Sequence, residues 1–139
     1  MTDIPLLLDT CAAIWSSHEV PIGEKAEARL NADFENAAPI FVSPITAWEA
    51  GLMTSRGRAV LASGPAQWFE NLLAVPGVEL ADMPPRVLIE ASYLPGVPPS
   101  DPADRIIIAT AREFGLCIMT RDRKILDYAD KGLVMAMAC

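Results

Sequence analysis

Four acidic residues spread along the 139-residue chain, Asp9, Glu49, Asp104 and Asp122, are the side chains whose placement suggests chemistry. Asp9 follows the apolar run Pro5-Leu6-Leu7-Leu8, and Asp122 comes just after Leu116-Cys117-Ile118-Met119-Thr120, so each sits past the carboxyl end of an expected buried strand. Open α/β sheets bind their ligands at that edge. Glu49 and Asp104 fall instead on expected helices, each in register with apolar residues: Ile45, Leu52 and Met53 for Glu49, and Ile107, Ile108 and Ala111 for Asp104. An acid on a buried face is costly unless something pairs with it. Neither stripe supplies a lysine or arginine, and converging carboxylates repel, so a divalent cation is the counter-charge the pattern asks for. With oxygen ligands alone, and no CxxC spacing among Cys11, Cys117 and Cys139, the expected ion is Mg²⁺ or Mn²⁺ and not zinc. Such a site suits phosphate chemistry, with one or two ions activating water for in-line attack on a phosphodiester.

Each acid also has a structural reading. Asp9 and Asp122 both stand where a helix N-cap belongs, and that role stays open beside the site role. For Asp101, followed by Pro102, the cap reading is preferred, with Arg105 as its i,i+4 partner. Asp104 heads the buried stripe and is assigned to the site, although an acid near a helix start is favourable in itself. Glu49 lies inside its helix with no capping duty, which makes it the best single indicator. Thr10, Ser43 and Thr120 fall at strand ends, where a hydroxyl can satisfy local backbone groups. Thr10 and Thr120 are expected to support the acids, Thr120 by orienting a metal-bound water. His18, the lone histidine, falls in a polar stretch and is read as solvent exposed, which removes histidine-centred acid–base schemes. Trp15, Trp48 and Trp68 are read as core or interface residues and not as stacking platforms for bases. Neither a G-x-G-x-x-G nor a P-loop pattern occurs.

The elements that must position these residues alternate. Strands are expected near 5–9, 40–43, 78–81, 116–120 and 133–137, and helices near 12–15, 24–36, after Pro44, around Trp68 to Leu73, and at 85–94, 102–114 and 123–130. Strands that are apolar throughout, separated by helices, imply an α/β fold whose mostly parallel sheet is covered on both faces. One domain, residues 1–139, accommodates all of it, and a hydrophobic fraction of 52% fills its core. No apolar stretch reaches the length of a membrane span, and the opening Met-Thr-Asp lacks a basic leader, so the expected setting is the reducing cytoplasm with free thiols.

A net charge of −7 counts against a nucleic-acid partner. Placement weighs more than the sum, because the acids concentrate at the site and the cations cluster, Arg56 with Arg58, and Arg121 with Arg123 and Lys124 around Asp122. Arg121, Arg123 and Lys124 are the expected track for an RNA backbone.

At four places the chain resembles the PIN-domain ribonucleases, and among them the VapC toxins of bacterial toxin–antitoxin pairs. The matching segments are Leu7-Leu8-Asp9-Thr10-Cys11-Ala12, Val42-Ser43-Pro44-Ile45-Thr46-Ala47-Trp48-Glu49, Asp101-Pro102-Ala103-Asp104-Arg105-Ile106-Ile107-Ile108-Ala109, and Met119-Thr120-Arg121-Asp122. Together, in order, they span nearly the whole sequence. The resemblance implies a PIN-like α/β/α sandwich with a central, mostly parallel sheet, and an endoribonuclease that uses Mg²⁺ or Mn²⁺ at the quartet Asp9, Glu49, Asp104 and Asp122. It places Asp101 behind that quartet. Where the family often carries His-Arg before this segment, the chain reads Pro99-Ser100. The resemblance further implies a homodimer or a toxin–antitoxin hetero-oligomer, a small cognate VapB-type antitoxin whose tail wraps the toxin and can reach its acidic site with an arginine, and an RNA substrate, transfer RNA first and ribosomal RNA also known. Apolar residues left over on the expected helices at 10–18 and 45–73, Trp15 and Trp68 among them, are the candidate groove for an antitoxin helix. Two other readings stand beside it: a PIN fold kept as a catalytically silent binding module, and a haloacid-dehalogenase-like phosphatase with Asp9 as nucleophile, which wants a second Asp where the chain has Cys11.

Overall fold

A computed structural model of the chain describes residues 4–17 and 21–139; His18 lies outside them. The elements follow in the order β1 (Leu6–Leu8), α1 (Thr10–Ser17), α2 (Glu24–Glu35), β2 (Ile40–Val42), α3 (Pro44–Ser55), α4 (Pro65–Ala74), β3 (Val78–Leu80), α5 (Pro85–Ser92), α6 (Pro102–Phe114), β4 (Cys117–Thr120), α7 (Arg123–Asp130) and β5 (Met135–Ala138). Local signals account for most of the boundaries. Proline opens α3, α4, α5 and α6 at a position where its missing N–H costs nothing. Gly115, at φ 66°, closes α6 in the left-handed conformation that glycine adopts without strain.

The five strands form one parallel sheet in the order β3-β2-β1-β4-β5. β1 lies at its centre, with Leu7 in register with Phe41 on one side and Ile118 on the other. Its three leucines are all buried because both faces are covered. Leu6 and Leu8 join a core that includes Ala13, Leu30, Val42, Ala50 and Trp68, beneath α1 to α4. Leu7 points the other way, into a core with Val87, Ile108, Ile118 and Tyr128, beneath α5 to α7. The result is the expected α/β/α sandwich. No helix among the described residues is long and apolar enough to cross a membrane.

Two local expectations differ from the structure. β5 starts at Met135 and not at residue 133, because the carbonyl of Leu133 is taken by the Arg112 guanidinium before the ladder begins. Arg105 does not pair with Asp101. Its guanidinium donates instead to the carbonyls of Ala91 (2.8 Å), Pro99 (3.2 Å) and Ser92 (3.4 Å), fastening the irregular stretch between α5 and α6. Carbonyls at the end of a helix are good acceptors for a cation, and they win over a carboxylate already engaged as a cap.

Because Leu7 is fully buried where both layers meet the sheet, Leu7→Ala is expected to cost about 2–5 kcal/mol of unfolding free energy. Urea unfolding would measure it, and a loss under 1 kcal/mol would show that the site can collapse around the cavity.

Candidate active site

The chain leaves β1 for β2 on one side, and β4 is inserted on the other, so a crevice opens past the carboxyl ends of β1 and β4. The four acids reach it from four directions. Asp9 is the first residue after β1, and it caps α1 by accepting from the Ala12 N–H at 2.7 Å. Asp122 follows β4 and caps α7, accepting from the Lys124 N–H at 2.8 Å. Asp104 lies in the first turn of α6, which runs back along β4 and so presents its start at this rim; Asp101 caps that helix, accepting from the N–H groups of Ala103 (2.8 Å) and Asp104 (3.1 Å). Glu49 comes from the second turn of α3, the helix after β2.

Three threonines hold the carboxylates in place. The Thr120 hydroxyl donates to Asp9 Oδ2 and accepts from the Asp122 N–H at 3.0 Å, so one oxygen ties the β1 acid to the turn after β4. The Thr10 hydroxyl donates to Glu49 Oε1. Thr46 Oγ1 lies 3.1 Å from Thr10 Oγ1, and since Thr10 has a single proton, already given to Glu49, Thr46 must be the donor between them. Thr46 is fully buried on α3, three residues before Glu49. Sequence reasoning missed it, although a threonine one turn before the acid was a readable signal.

Asp9, Glu49, Asp104 and Asp122 line one cavity of about 340 Å³, together with Thr10, Cys11, Trp15 and Arg121. Among the described residues none of the four carboxylates forms an ion pair. Burial raises the proton affinity of Asp9, opposed by the bonds from Thr120 and Ala12 and reinforced by the Asp122 charge. Glu49 is raised by burial too, against the bond from Thr10, with Asp101 and Asp9 adding repulsion. Asp104, which accepts no side-chain hydrogen bond among the described residues, is pushed up to about 7 by burial and then by the charges of Asp101, Asp122, Glu49 and Asp9. The Cys11 thiol, in the same field, rises to about 11 by burial and by the surrounding acids. With no cation beside it, the thiol stays protonated at neutral pH.

These residues fit a hard divalent ion in their chemistry: oxygen donors, unpaired negative charge, a thiol held out of play, and carboxylates that ionise more readily once a cation neighbours them. As they stand, no three acidic, cysteine or histidine side chains among the described residues converge tightly enough to clasp an ion between them. That spacing suits an ion met directly by one or two carboxylates and otherwise by its own water, as Mg²⁺ commonly is.

Most neighbouring cations are engaged within the chain. Arg121 reaches the cavity wall, but its guanidinium donates to Cys139 O (3.0 and 3.1 Å) and Pro21 O (3.2 Å) and lies 4.2 Å over the Trp15 ring. Arg123 turns along α7 to ion-pair with Asp127 (3.0 Å) and Asp130 (3.6 Å). Of the expected cationic track, only the exposed Lys124 has its charge unengaged by a described residue. On α3 the buried line is Thr46 and Ala50, so Ile45, Glu49, Leu52 and Met53 are half-buried at the edge of the helix layer. Trp68 is core and donates its indole N–H to Ser17 Oγ at 2.9 Å. Trp48 is not core: 55% of it is exposed.

A PIN-domain family model matches residues 6–131. The chain is 32% identical over 120 residues to Ribonuclease VapC22 of Mycobacterium tuberculosis (strain ATCC 25618 / H37Rv), a match covering 86% of this chain and 88% of that protein. Its fold is similar to that of a chain in the crystal structure of VapBC2 from Rickettsia felis bound to a promoter DNA fragment, with TM-score 0.67, 12% identity, and coverage of 97% and 98%. A chain of the DNA-bound VapBC from Salmonella typhimurium is also similar, with TM-score 0.61, 17% identity, and 98% of each chain covered.

The charge held on Asp104 gives a pH-dependent stability with a definite sign. Its folded value of about 7 lies above its ordinary 3.8, so the cost of ionising it in the fold is absent below about pH 4, grows between, and is complete above about 7. In metal-free buffer Asp104→Asn should therefore melt about 3–6 °C higher than the native chain at pH 8, with the gain vanishing at pH 4. Equal melting temperatures at pH 8 would show that solvent screens the site.

Proposed function

The chain belongs to the PIN domain family, and from that premise we propose that it is a Mg²⁺- or Mn²⁺-dependent endoribonuclease acting as the toxin of a toxin–antitoxin pair in the cytoplasm. The observation that carries the catalytic reading is the convergence of Asp9, Glu49, Asp104 and Asp122 on one cavity without a cationic side chain paired to any of them. Likeness to a ribonuclease over most of the chain supports RNA as the substrate, with transfer RNA the class proposed first. The match over residues 6–131, and two cores that share one sheet, support a single domain across 1–139.

A bound Mg²⁺ or Mn²⁺ would supply an activated water and neutralise charge on the phosphodiester. The chain's part is to hold the acids. Asp9 and Asp122 are fixed through the Thr120 hydroxyl and by their caps, Glu49 through Thr10 and Thr46, and Asp104 by its place at the start of α6. Three helix N-termini, of α1, α6 and α7, point partial positive charge at the same spot and help it tolerate the anions.

A cognate VapB-type antitoxin is the proposed partner, since the fold recurs in VapBC complexes. A groove of about 400 Å³ on the α2 and α4 side, lined by Ile22, Leu30, Phe34, Leu72 and Val75, offers an apolar seat for an antitoxin helix. It replaces the earlier assignment to Trp15 and Trp68, whose rings are occupied by Arg121 and by the core. Dimerisation of the toxin, alone or within the complex, belongs to the same proposal.

Asp9→Asn and Glu49→Gln should each lower metal-dependent RNA cleavage by roughly 100-fold or more with the fold intact by circular dichroism. Full activity in folded Glu49→Gln would overturn the site assignment. Expressed alone, the chain should arrest growth, and the small protein encoded beside it should restore growth; harmless expression together with active cleavage in vitro would retain the nuclease and discard the toxin.

A further inference from the structure

A further cavity, of about 280 Å³, also has Glu49 in its wall. Its walls include Trp48, Leu52, Arg56 and Arg58 from α3 and the turn after it, with Asp101 and Pro102 opposite. Glu49 belongs to both cavities, so the acidic site and this pocket are continuous through one side chain. Trp48 and Leu52 on α3 and Arg56 at its C-terminal cap recur at spacing four, forming a ridge beside Glu49. The ridge combines a half-exposed indole with two exposed arginines. Neither guanidinium is bonded to any described residue, in contrast to Arg121, which donates to backbone carbonyls, and Arg123, which is ion-paired along α7.

We infer that this pocket is a nucleotide subsite: a single-stranded RNA leaving the acidic cavity past Glu49 stacks a base on Trp48 and sets its backbone phosphates against Arg56 and Arg58. This deepens the ribonuclease reading and rests on it. A chain of net charge −7 with four carboxylates at its site repels a polyanion, so substrate capture depends on local positive charge beside the cavity. The pocket supplies that charge. Of its two acids, Glu49 is shared with the acidic cavity and accepts from Thr10, and Asp101 is turned to the N–H groups of Ala103 and Asp104 and caps α6. An aromatic face beside paired arginines is the combination that holds unpaired bases and phosphates with little sequence preference.

The test uses the full chain with Mn²⁺ and two substrates, a fluorescent single-stranded RNA oligonucleotide and the small diester bis(p-nitrophenyl) phosphate. For Trp48→Ala, KM for the oligonucleotide should rise about ten-fold or more, with kcat changed far less and hydrolysis of the small diester unaltered. Trp48→Phe should recover most of the affinity. Arg56→Ala with Arg58→Ala should flatten the salt dependence of oligonucleotide binding by roughly 1.4 in log–log slope, the value for two phosphate contacts on a single strand. If the native chain cuts RNA while both variants keep its KM and salt slope, the subsite is wrong and the ribonuclease reading stands. If the native chain cuts no RNA, both fall together. Should sedimentation show a native dimer that Trp48→Ala converts to monomer, the face is covered by a second copy of the chain, which also overturns the subsite.

Discussion

Burial raises the proton affinity of Asp9, Glu49 and Asp104, and the charges of neighbouring acids raise it further. Repulsion of this kind normally drives carboxylates apart or into solvent. Here the backbone denies both escapes. Asp9 is pinned at the end of the central strand, where Leu6, Leu7 and Leu8 are buried from both sides, and Thr120 holds it against β4. The parallel ladder brings the ends of β1 and β4 side by side, and α6 must begin at the same rim because it returns along the sheet to start β4. The stability of two cores is what confines the charge.

The confinement works through neutral donors. Hydroxyls and backbone N–H groups stabilise the ionised acids without cancelling their charge, whereas an arginine among them would have filled the cavity with a permanent counter-ion. Arg121 stands close enough to show the difference. Its guanidinium is turned to two carbonyls and the Trp15 face and pairs with none of the four acids.

The juxtaposition of the acids was legible because each is tied to a feature that topology alone can place: a strand end for Asp9 and Asp122, a helix start for Asp104. Capping a helix and lining the cavity are compatible, since an N-cap accepts with one oxygen: the second oxygen of Asp9 accepts from Thr120, and that of Asp122 has no partner among the described residues. Glu49 was legible for a reason only partly correct. It does break an apolar stripe, yet that stripe lies at the edge of the helix layer, where α3 is covered along Thr46 and Ala50 and open along Trp48. Periodicity identifies which residues share a face, but it cannot tell whether another element lies across from it. The same limit left Trp48 open between core and interface, and its half-exposed ring excludes the core; Arg105 went astray because its acceptors are carbonyls of another segment, which no side-chain pattern records.

Asp9 and Asp122 each do two jobs with one carboxylate, closing a helix and lining the cavity. Most replacements would lose both, and an uncapped helix is penalised by about 1 kcal/mol even where no activity is selected. Asparagine is the exception, because it caps as well as aspartate and carries no charge. Substitution at these two positions therefore has one permissive direction, towards asparagine, which keeps both helix caps while removing negative charge from the cavity.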